Sequence, residues 1–352
     1  MINVLQIIDG KNFTGLAKLM FNINNFIDTD IKMDFITAEN IYDKWRNLGI
    51  NRKTCKGKLI YNYRLYKFLQ KNKYDVVHIN SGAFFFVLQV AVICKLNGIK
   101  KIVAHSHNTY YLKGLKKIAM RVLSPLFNKI IDIKLTCSKE ASKSLFNNFD
   151  DVIILKNGID IEKFKFDSDK RKQYKNKFKC DNKIVYAHVG RFSKEKNHSF
   201  LIDVFFEIQK KQDAILLLIG SGELEERIKE KVKLLNISDK VFFLGYRDDV
   251  HNILNAIDIL IFPSLHEGLP ISLIEAQTNG LTVFVSNGVP DETNISDNFI
   301  KIKSNDKKYW CETILNTGIN AEEREYAYKN TIKNGYDIKE TTKKLEEIYK
   351  KI

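Results

Sequence analysis

The chain has 352 residues, of which 44% are hydrophobic, and it carries a formal net charge of +15. This length and apolar content predict two globular domains with buried cores. Five scattered cysteines without a Cys-x-x-Cys pair argue against a disulfide or zinc framework and indicate reduced thiols. The longest apolar stretch, residues 83–94, is far shorter than the roughly 20 residues that span a bilayer. Because Met1 leads directly into a strand-like run, we also expect no secretory leader.

The positive charge lies in the first part of the chain. Residues 1–150 hold 24 Lys and Arg against 10 Asp and Glu, whereas residues 151–352 hold 33 against 32. A one-sided field of this kind is typical of proteins that bind nucleic acid, an anionic membrane surface or a polyanionic substrate. A generally lysine-rich composition is the alternative, but it would enrich both parts.

Short β-branched runs alternate with amphipathic helical stretches along the chain. The pattern restarts near the middle, which predicts an α/β fold of two Rossmann-like domains, each built from βαβ units. We expect one domain over residues 1–160, a second over 161–335, and a helix over 336–352 that packs back on the first domain. The charged stretch 165–183 is predicted to be a linker. The predicted strands are 4–8, 33–37, 76–79, 101–105, 133–136 and 152–155, followed by 184–189, 214–219, 241–244, 257–262 and 282–285.

The loops that follow these strands hold the candidate functional residues. In open α/β sheets, ligands bind beyond the carboxyl ends of the strands, so two such sheets facing each other predict a cleft lined by these loops. Loops of this kind that carry glycine, histidine or charged residues are 104–109, 190–197, 220–223, 245–247 and 266–275.

The last of these loops is the most informative. It contains Glu267, Gly268 and Pro270 at a predicted helix start, and Glu275 lies about one and a half turns further on. Free N–H groups at a helix start suit a phosphate, and a proline in the first turn costs no hydrogen bond. Glu275 is suited to accept hydrogen bonds from hydroxyls. A phosphate site beside a polyol site indicates a nucleotide-sugar.

Taken together, these segments resemble the family-4 glycosyltransferases, which have the GT-B architecture and transfer a sugar from a nucleotide donor with retention of anomeric configuration. The segment around His107 is most similar to members that build capsular polysaccharide, exopolysaccharide or O-antigen units. The motifs occur in the family's order and cover most of the chain: Lys156-Asn157-Gly158, Gly190-Arg191 with Lys196-Asn197, Gly220-Ser221-Gly222, Gly245-Tyr246, and Glu267 with Glu275.

The resemblance implies roles on the diphosphate side of a donor site. Arg191 and Lys196, in the loop that begins at Gly190, grip the diphosphate and offset the charge that develops on the leaving group. Gly268 and Leu269 offer backbone N–H groups to phosphate or sugar.

It also implies contacts to the rest of the donor. Glu267 contacts the transferred sugar, Glu275 holds the ribose hydroxyls, and Tyr246 and Arg247 contact the base through backbone atoms. Gly15 is retained from the family's first glycine loop, although Thr14 replaces the adjacent glycine. This departure affects the geometry expected for the acceptor.

His107 matches the family's active-site histidine, which implies that it contacts the donor sugar. His105 lies two residues earlier, so a His-x-His metal pair is an alternative, but no third ligand is evident. An Asp-x-Asp pair at Asp167 and Asp169 lies in the charged stretch rather than at a strand end. We therefore expect no metal or other cofactor, with a UDP-sugar as substrate.

The basic segment 110–134 has two interpretations. Its lysines and arginine recur at helical spacing among apolar residues, which predicts one basic and one apolar stripe. Such a helix is either an ordinary core-facing helix with a solvated basic face, or a helix that docks on anionic lipid. The resemblance implies a polyprenyl-diphosphate-linked saccharide acceptor, which docking would bring to the cleft.

We therefore expect a retaining transferase that moves a hexose or N-acetylhexosamine from a nucleotide-sugar to a lipid-linked glycan in bacterial surface polysaccharide synthesis. The expected location is cytoplasmic, peripheral to the inner face of the cell membrane. One alternative is a sugar-nucleotide epimerase on the same scaffold, for which no acid and base pair is evident. A further alternative is a nucleic-acid-binding protein, but aromatics such as Phe84 to Phe86 have a core-like pattern, and we expect no nucleic acid partner.

Overall fold

The structure is a computed structural model that describes residues 1–9, 15–37, 58–107, 112–146, 151–318 and 322–351. The chain divides into two compact units, each formed around one sheet. Unit 1 comprises residues 1–158 and 337–352, and unit 2 comprises residues 159–336.

Unit 1 is built on a six-stranded parallel sheet. Its strands are β1 (Ile2–Ile8), β2 (Ile31–Ile36), β3 (Val76–Asn80), β4 (Lys101–Ser106), β5 (Ile133–Thr136) and β6 (Val152–Ile154), in the order β2-β1-β3-β4-β5-β6. The helices between them are α1 (Gly15–Phe26), α2 (Lys58–Lys71), α3 (Phe84–Leu96), α4 (Leu115–Ile130) and α5 (Lys139–Leu145). All described strand pairs are parallel.

Unit 2 repeats this plan. Its strands are β7 (Ile184–Val189), β8 (Ala214–Ile219), β9 (Val241–Gly245), β10 (Ile259–Phe262), β11 (Thr282–Ser286) and β12 (Phe299–Ile302), in the order β12-β11-β10-β7-β8-β9. The predicted α/β fold with two parallel-sheet domains is thus confirmed, although β12 was not predicted. The helices are α6 (Ile161–Phe164), α7 (Ser168–Lys177), α8 (His198–Ile208), α9 (Glu225–Leu234), α10 (Val250–Ala256), α11 (Ile271–Thr278), α12 (Lys307–Asn316) and α13 (Tyr328–Lys333).

The final helix, α14 (Ile338–Lys350), belongs to unit 1. Its Leu345 and Tyr349 are fully buried and join the core that α1 forms on one face of the sheet. Gly158 lies where the two segments of unit 1 meet, because a Cβ there would fall 2.5 Å from Thr341 Oγ1 and 2.7 Å from Ile338 Cα. Only glycine fits this approach without displacing α14.

Helices α2, α3 and α4 supply the core on the other face of this sheet. Successive side chains of a strand point to opposite faces. Leu5 and Ile7 of β1 therefore pack with the α2–α4 layer, while Val4 and Ile8 pack with α1 and α14.

The predicted linker at 165–183 is wrong, since this stretch contains α7 and packs into unit 2. Asp258 is only 3% exposed and binds two charged side chains of this stretch. Its carboxylate lies 2.5 Å from Arg171 Nη2 and 3.3 Å from Lys175 Nζ, and it accepts a hydrogen bond of 2.9 Å from Val185 N. The charges that resembled a solvated linker thus neutralise a buried carboxylate.

Candidate functional site

The loop between β10 and α11 has the geometry expected for an anion site. Pro270 directly precedes α11 as its N-cap residue, with φ −72° and ψ 105°. The N–H groups of Gly268 and Leu269 form no hydrogen bond to a backbone carbonyl of the described residues. Glu275 is buried in the second turn of α11. The helix start therefore presents donors and a positive dipole end.

Lys196 and Glu267 are brought together although they are 71 residues apart in the chain. Lys196 Nζ lies 2.6 Å from Glu267 Oε1 and 4.6 Å from the ring centroid of Phe262 at the end of β10. The two side chains are only 18% and 11% exposed. Because little water reaches the pair, its electrostatic interaction is stronger than that of a surface ion pair.

Arg191 lies in the same loop as Lys196 but is more accessible. Its Nη2 is 2.9 Å from Glu223 Oε2, and both side chains are 54% exposed. Exposed pairs of this kind contribute roughly 0–1 kcal/mol. A bound anion can therefore replace Glu223 as the partner of Arg191 with little loss of free energy.

The glycines of the predicted Gly-Ser-Gly motif hold this loop in place. Gly220 has φ +139°, and a Cβ there would fall 2.1 Å from the carbonyl oxygen of Gly190. A Cβ on Gly222 would fall 2.6 Å from the carbonyl oxygen of Phe192. The loop after β8 thus packs backbone against backbone on the loop that carries Arg191.

Arg247 is held by a neighbouring carboxylate. Its Nε and Nη2 donate to the two oxygens of Asp249 at 2.7 and 2.6 Å, and Tyr174 Oη donates to Asp249 Oδ2 at 2.9 Å. The hydrogen bonds from Arg247 are the main cause that lowers the pKa of Asp249 to about 2. The Arg247 charge is thus neutralised within unit 2, while Tyr246 is exposed.

Two histidines beneath the 190–197 loop were not identified from the sequence. His188 Nδ1 lies 2.9 Å from the carbonyl oxygen of Ile261, while His188 Nε2 and both ring nitrogens of His198 have no hydrogen-bond partner among the described residues. The His198 ring stacks on Phe192, with centroids 4.1 Å apart. Burial lowers the pKa of His198 to about 4. His188 and His198 each lie two residues from a predicted site residue, Gly190 and Lys196, and this proximity could have identified them.

In unit 1, His107 follows β4 and is held between two amides. Its Nε2 lies 3.1 Å from Asn80 Oδ1, and its Nδ1 lies 3.1 Å from Asn157 Oδ1. Burial lowers the pKa of His107 to about 3, so the ring is neutral at physiological pH. Asn157 belongs to a predicted motif, whereas Asn80, at the end of β3, was not identified from the sequence.

The remaining predicted residues have simpler environments. Gly15 begins α1, but Thr14 and the segment 108–111 lie outside the described residues. Asp167 caps α7 by accepting hydrogen bonds from the N–H groups of Asp169 and Lys170, which explains this Asp-x-Asp pair structurally. Within the described ranges, no three His, Cys, Asp or Glu side chains are grouped to hold a metal ion.

The predicted basic helix is α4, and its apolar stripe does not face the core. Leu115 and Val122 are 83% and 72% exposed, and Ile118 and Leu126 are exposed beside them. Met120 and Phe127 provide the buried contacts instead. Helix α4 thus contacts the core through other side chains, and the prediction that its apolar stripe faces the core is wrong for Leu115, Ile118 and Val122. In the described part of the chain, no helix combines the length and apolar character needed to cross a bilayer.

Unit 1 also carries the whole net charge. It holds 30 Lys and Arg against 15 Asp and Glu, whereas unit 2 holds 27 against 27. The exposed cations in and directly before α4 are Lys113, Lys116, Lys117, Arg121 and Lys129. An apolar stripe with flanking cations is thus exposed on the charged unit.

Two family models match the chain in succession. Residues 29–163 match Glycosyltransferase Family 4, and residues 169–334 match Glycosyl transferases group 1. The first match lies in unit 1 apart from its last few residues, and the second lies in unit 2.

Individual proteins are similar over most or all of the chain. The protein named as the glycosyltransferase EpsF of Bacillus subtilis (strain 168) is 26% identical, over 98% of this chain and 96% of that protein. A UDP-Gal:alpha-D-GlcNAc-diphosphoundecaprenol alpha-1,3-galactosyltransferase of Escherichia coli is 27% identical, over 81% and 77%. The fold is also similar to the crystal structure of Anabaena Alr3699/HepE in complex with UDP and glucose. The match covers 100% of both chains, with a TM-score of 0.77 and 16% identity.

Proposed function

Because the chain belongs to the family-4 glycosyltransferases and has their GT-B fold, we propose that it transfers the sugar of a UDP-sugar to a lipid-linked glycan and releases UDP. The transferred group is a hexose or N-acetylhexosamine, and its anomeric configuration is retained. The acceptor is a saccharide on polyprenyl diphosphate, in the synthesis of a bacterial surface polysaccharide. The observation that carries this proposal is the Lys196–Glu267 pair in the loops beside the start of α11.

This arrangement suits the departure of a nucleoside diphosphate. When the bond between the anomeric carbon and the diphosphate oxygen breaks, its electron pair remains on the diphosphate. Lys196, Arg191 and the N–H groups of Gly268 and Leu269 are donors fixed in advance for that charge. Fixed protein cations supply the charge stabilisation that a metal ion provides in other phosphate sites, so we propose transfer without a metal.

The remaining donor contacts follow from the same loops. Glu275, buried in α11, accepts hydrogen bonds from the ribose hydroxyls, and Glu267 contacts the transferred sugar. The backbone at Tyr246 and Arg247, where the Arg247 side chain is occupied by Asp249, contacts the base. His107 of unit 1 contacts the sugar as a neutral ring.

The lipid-linked acceptor is supported by the name of the Escherichia coli relative, which acts on a sugar carried by diphosphoundecaprenol. An acceptor of this kind is embedded in a membrane. We infer that α4 docks unit 1 on the anionic inner face of the cell membrane, with Leu115, Ile118 and Val122 in the interface. Each flanking cation near an anionic surface contributes about 1 kcal/mol.

Donor binding is tested by thermal shift with UDP and a panel of UDP-sugars. A ligand at 100 times its Kd stabilises the protein by about 2.7 kcal/mol. Lys196→Ala and Glu275→Ala should abolish the shift. Lys210→Ala is the matched control, because Lys210 pairs with Glu207 on the surface of the same unit. No response to any UDP-sugar, or an equal response in Lys196→Ala, contradicts the proposal.

Membrane docking is tested by sedimentation with vesicles that contain anionic phospholipid. Val122→Glu should weaken binding more than tenfold. Leu234→Glu, on α9 of unit 2, should leave binding unchanged, although Leu234 is 82% exposed against 72% for Val122. Lys116→Glu with Lys117→Glu should weaken vesicle binding and leave the UDP shift intact. Equal binding of the Val122 and Leu234 variants would remove the docking role of α4.

A further inference from the structure

A continuous chain of hydrogen bonds begins at His107 and runs through the interior of unit 1. It links side chains of β1, β3, β4 and α14, and each of them is 6% exposed or less. The links are His107 Nε2 to Asn80 Oδ1 (3.1 Å), Asn80 Nδ2 to Gln6 Oε1 (2.8 Å), Gln6 Nε2 to Tyr349 Oη (2.8 Å), Tyr349 Oη to His78 Nδ1 (2.6 Å), and His78 Nε2 to His105 Nδ1 (3.2 Å).

The amide of Asn80 determines the direction of this chain. An amide nitrogen only donates and an amide oxygen only accepts. Asn80 Nδ2 donates to Gln6 and also lies 3.4 Å from the carbonyl oxygen of His78. The reversed amide would place two acceptor oxygens against each other at that contact. Asn80 Oδ1 therefore faces His107, and His107 must carry its proton on Nε2.

The same direction continues through the other members. Gln6 Nε2 donates to the Tyr349 oxygen, and the hydroxyl proton is satisfied by the other neighbour, His78 Nδ1, 2.6 Å away. His78 then carries its proton on Nε2 and donates it to His105 Nδ1. The chain ends at His105 Nε2, which has no partner among the described residues. The Tyr349 oxygen, by accepting from Gln6 Nε2, holds the Gln6 oxygen toward Asn80. This contact and the 3.4 Å contact with the His78 carbonyl together fix the Asn80 amide, and through it the tautomer of His107.

The second nitrogen of His107 completes the arrangement. With its proton on Nε2, Nδ1 is an acceptor, so Asn157 must present its amide nitrogen there. The two orientations of a carboxamide have nearly the same shape, and rotating the Asn157 amide satisfies the contact. A doubly protonated ring, which would donate at both nitrogens, does not form near neutral pH because burial lowers the pKa of His107 to about 3.

We propose that Asn80 and Tyr349 are positioning residues that hold His107 in one orientation as its Nε2–H tautomer. This inference rests on the proposed function, in which His107 contacts the donor sugar. Because both ring nitrogens are occupied within unit 1, His107 neither donates nor accepts a proton during transfer. It acts as a neutral contact of fixed position.

The tautomer is measured directly by long-range ¹H–¹⁵N correlation spectra of the full chain labelled with ¹⁵N-histidine. His107→Gln assigns the signal. The wild-type ring should carry its proton on Nε2. In Asn80→Ala the remaining partner is the Asn157 amide, which then turns its oxygen toward the ring, so the proton should move to Nδ1. Tyr349→Phe should give a mixture of the two tautomers.

Thr342→Val is the matched control for Tyr349→Phe. Thr342 is also buried in α14, but its hydroxyl donates only to the carbonyl oxygen of Ile338 in the same helix. It should leave both the His107 spectrum and the transfer rate unchanged. A variant that merely loosened α14 would lower thermal stability without moving the His107 proton.

Steady-state transfer from the UDP-sugar that gives the largest thermal shift supplies the second readout. Asn80→Ala and Tyr349→Phe should lower kcat roughly ten- to a hundredfold, as expected when a contact group is displaced, with a smaller change in the donor KM. A wild-type proton on Nδ1, or an unchanged spectrum in Asn80→Ala, overturns the inference. A switched tautomer with unchanged kcat overturns the positioning role. Failure of the proposed function is distinguishable, because the spectra do not depend on activity.

Discussion

Replacing Glu267 with glutamine should tighten the binding of UDP. Without ligand, Glu267 Oε1 lies 2.6 Å from Lys196 Nζ and neutralises it. A diphosphate that binds Lys196 must therefore share the ammonium with a carboxylate of its own sign. Glutamine has nearly the same shape and keeps an acceptor oxygen for Lys196, but it removes the negative charge.

The size of the effect follows from the geometry. A phosphate oxygen bonded to Nζ opposite Glu267 lies about 5 Å from the Glu267 carboxylate. At that separation and an effective dielectric constant of 20, two unit charges repel by about 3 kcal/mol. Partial exposure of the pair reduces this value, and a residual 1–2 kcal/mol corresponds to a roughly tenfold lower Kd.

Isothermal titration with UDP at low and high salt measures this change. Glu223→Gln is the matched control, because Glu223 pairs with Arg191 on the exposed surface and its removal should alter Kd less than about threefold. Transfer by Glu267→Gln should fall, since its carboxylate contacts the sugar in the proposed site. Weaker UDP binding by Glu267→Gln than by the wild type, or an equal response of both variants, would refute the proposed repulsion between Glu267 and the diphosphate.

Three further outcomes follow from the packing. Gly220→Ala should weaken UDP binding and lower Tm, because its Cβ would displace the Gly190 carbonyl. Gly318→Ala, with open space at its Cβ, should do neither. Equal effects of the two variants in a thermal-shift assay would contradict the contact between the two loops. Asp258→Ala should destabilise unit 2 by about 3–5 kcal/mol in urea unfolding, since Arg171 and Lys175 lose a buried partner. Asp213→Ala, which removes an exposed partner of Lys183, should change the urea midpoint little. Folded pKa values of about 3 for His78 and His107 lie below the ordinary 6.5, so the unfolded chain takes up protons first. The contribution of these histidines to the free energy of unfolding should thus be complete above pH 6.5. Below pH 6.5 the free energy of unfolding should fall by about 1.4 kcal/mol per pH unit for each such histidine. If His78→Phe left the slope of unfolding free energy against pH unchanged, His78 would not be one of these groups.

The loops that we propose to hold the donor could be located from the sequence because their motifs are local. Glycine, basic and acidic residues follow strands within a few positions, and parallel strands bring their carboxyl ends to one edge of a sheet. The pairing of Lys196 with Glu267 follows from that rule, although the sequence does not reveal that the pair is largely buried. The Gly-Ser-Gly motif was likewise visible, but its backbone packing on Gly190 was not.

The errors came from partners that are distant in the chain. Residues 165–183 resembled a linker because Asp258, which gathers Arg171 and Lys175, lies more than 80 residues later. The hydrogen-bond chain at His107 was hidden for the same reason, since its links join residues 74, 271 and 343 positions apart. Helical periodicity also left α4 undecided, because it locates an apolar stripe without indicating whether that stripe is covered.

Because α14 belongs to unit 1, it affects when each unit can complete its core during synthesis. Residues 159–336 are contiguous, so unit 2 has all of its segments while the ribosome is still synthesising the chain. Unit 1 lacks Leu345 and Tyr349 until residues 337–351 have been synthesised. During that interval Gln6 and His78 have no hydroxyl partner, and α1 covers its face of the sheet without α14. Unit 1 therefore cannot complete its core until its last segment has been synthesised, whereas unit 2 needs no segment after residue 336.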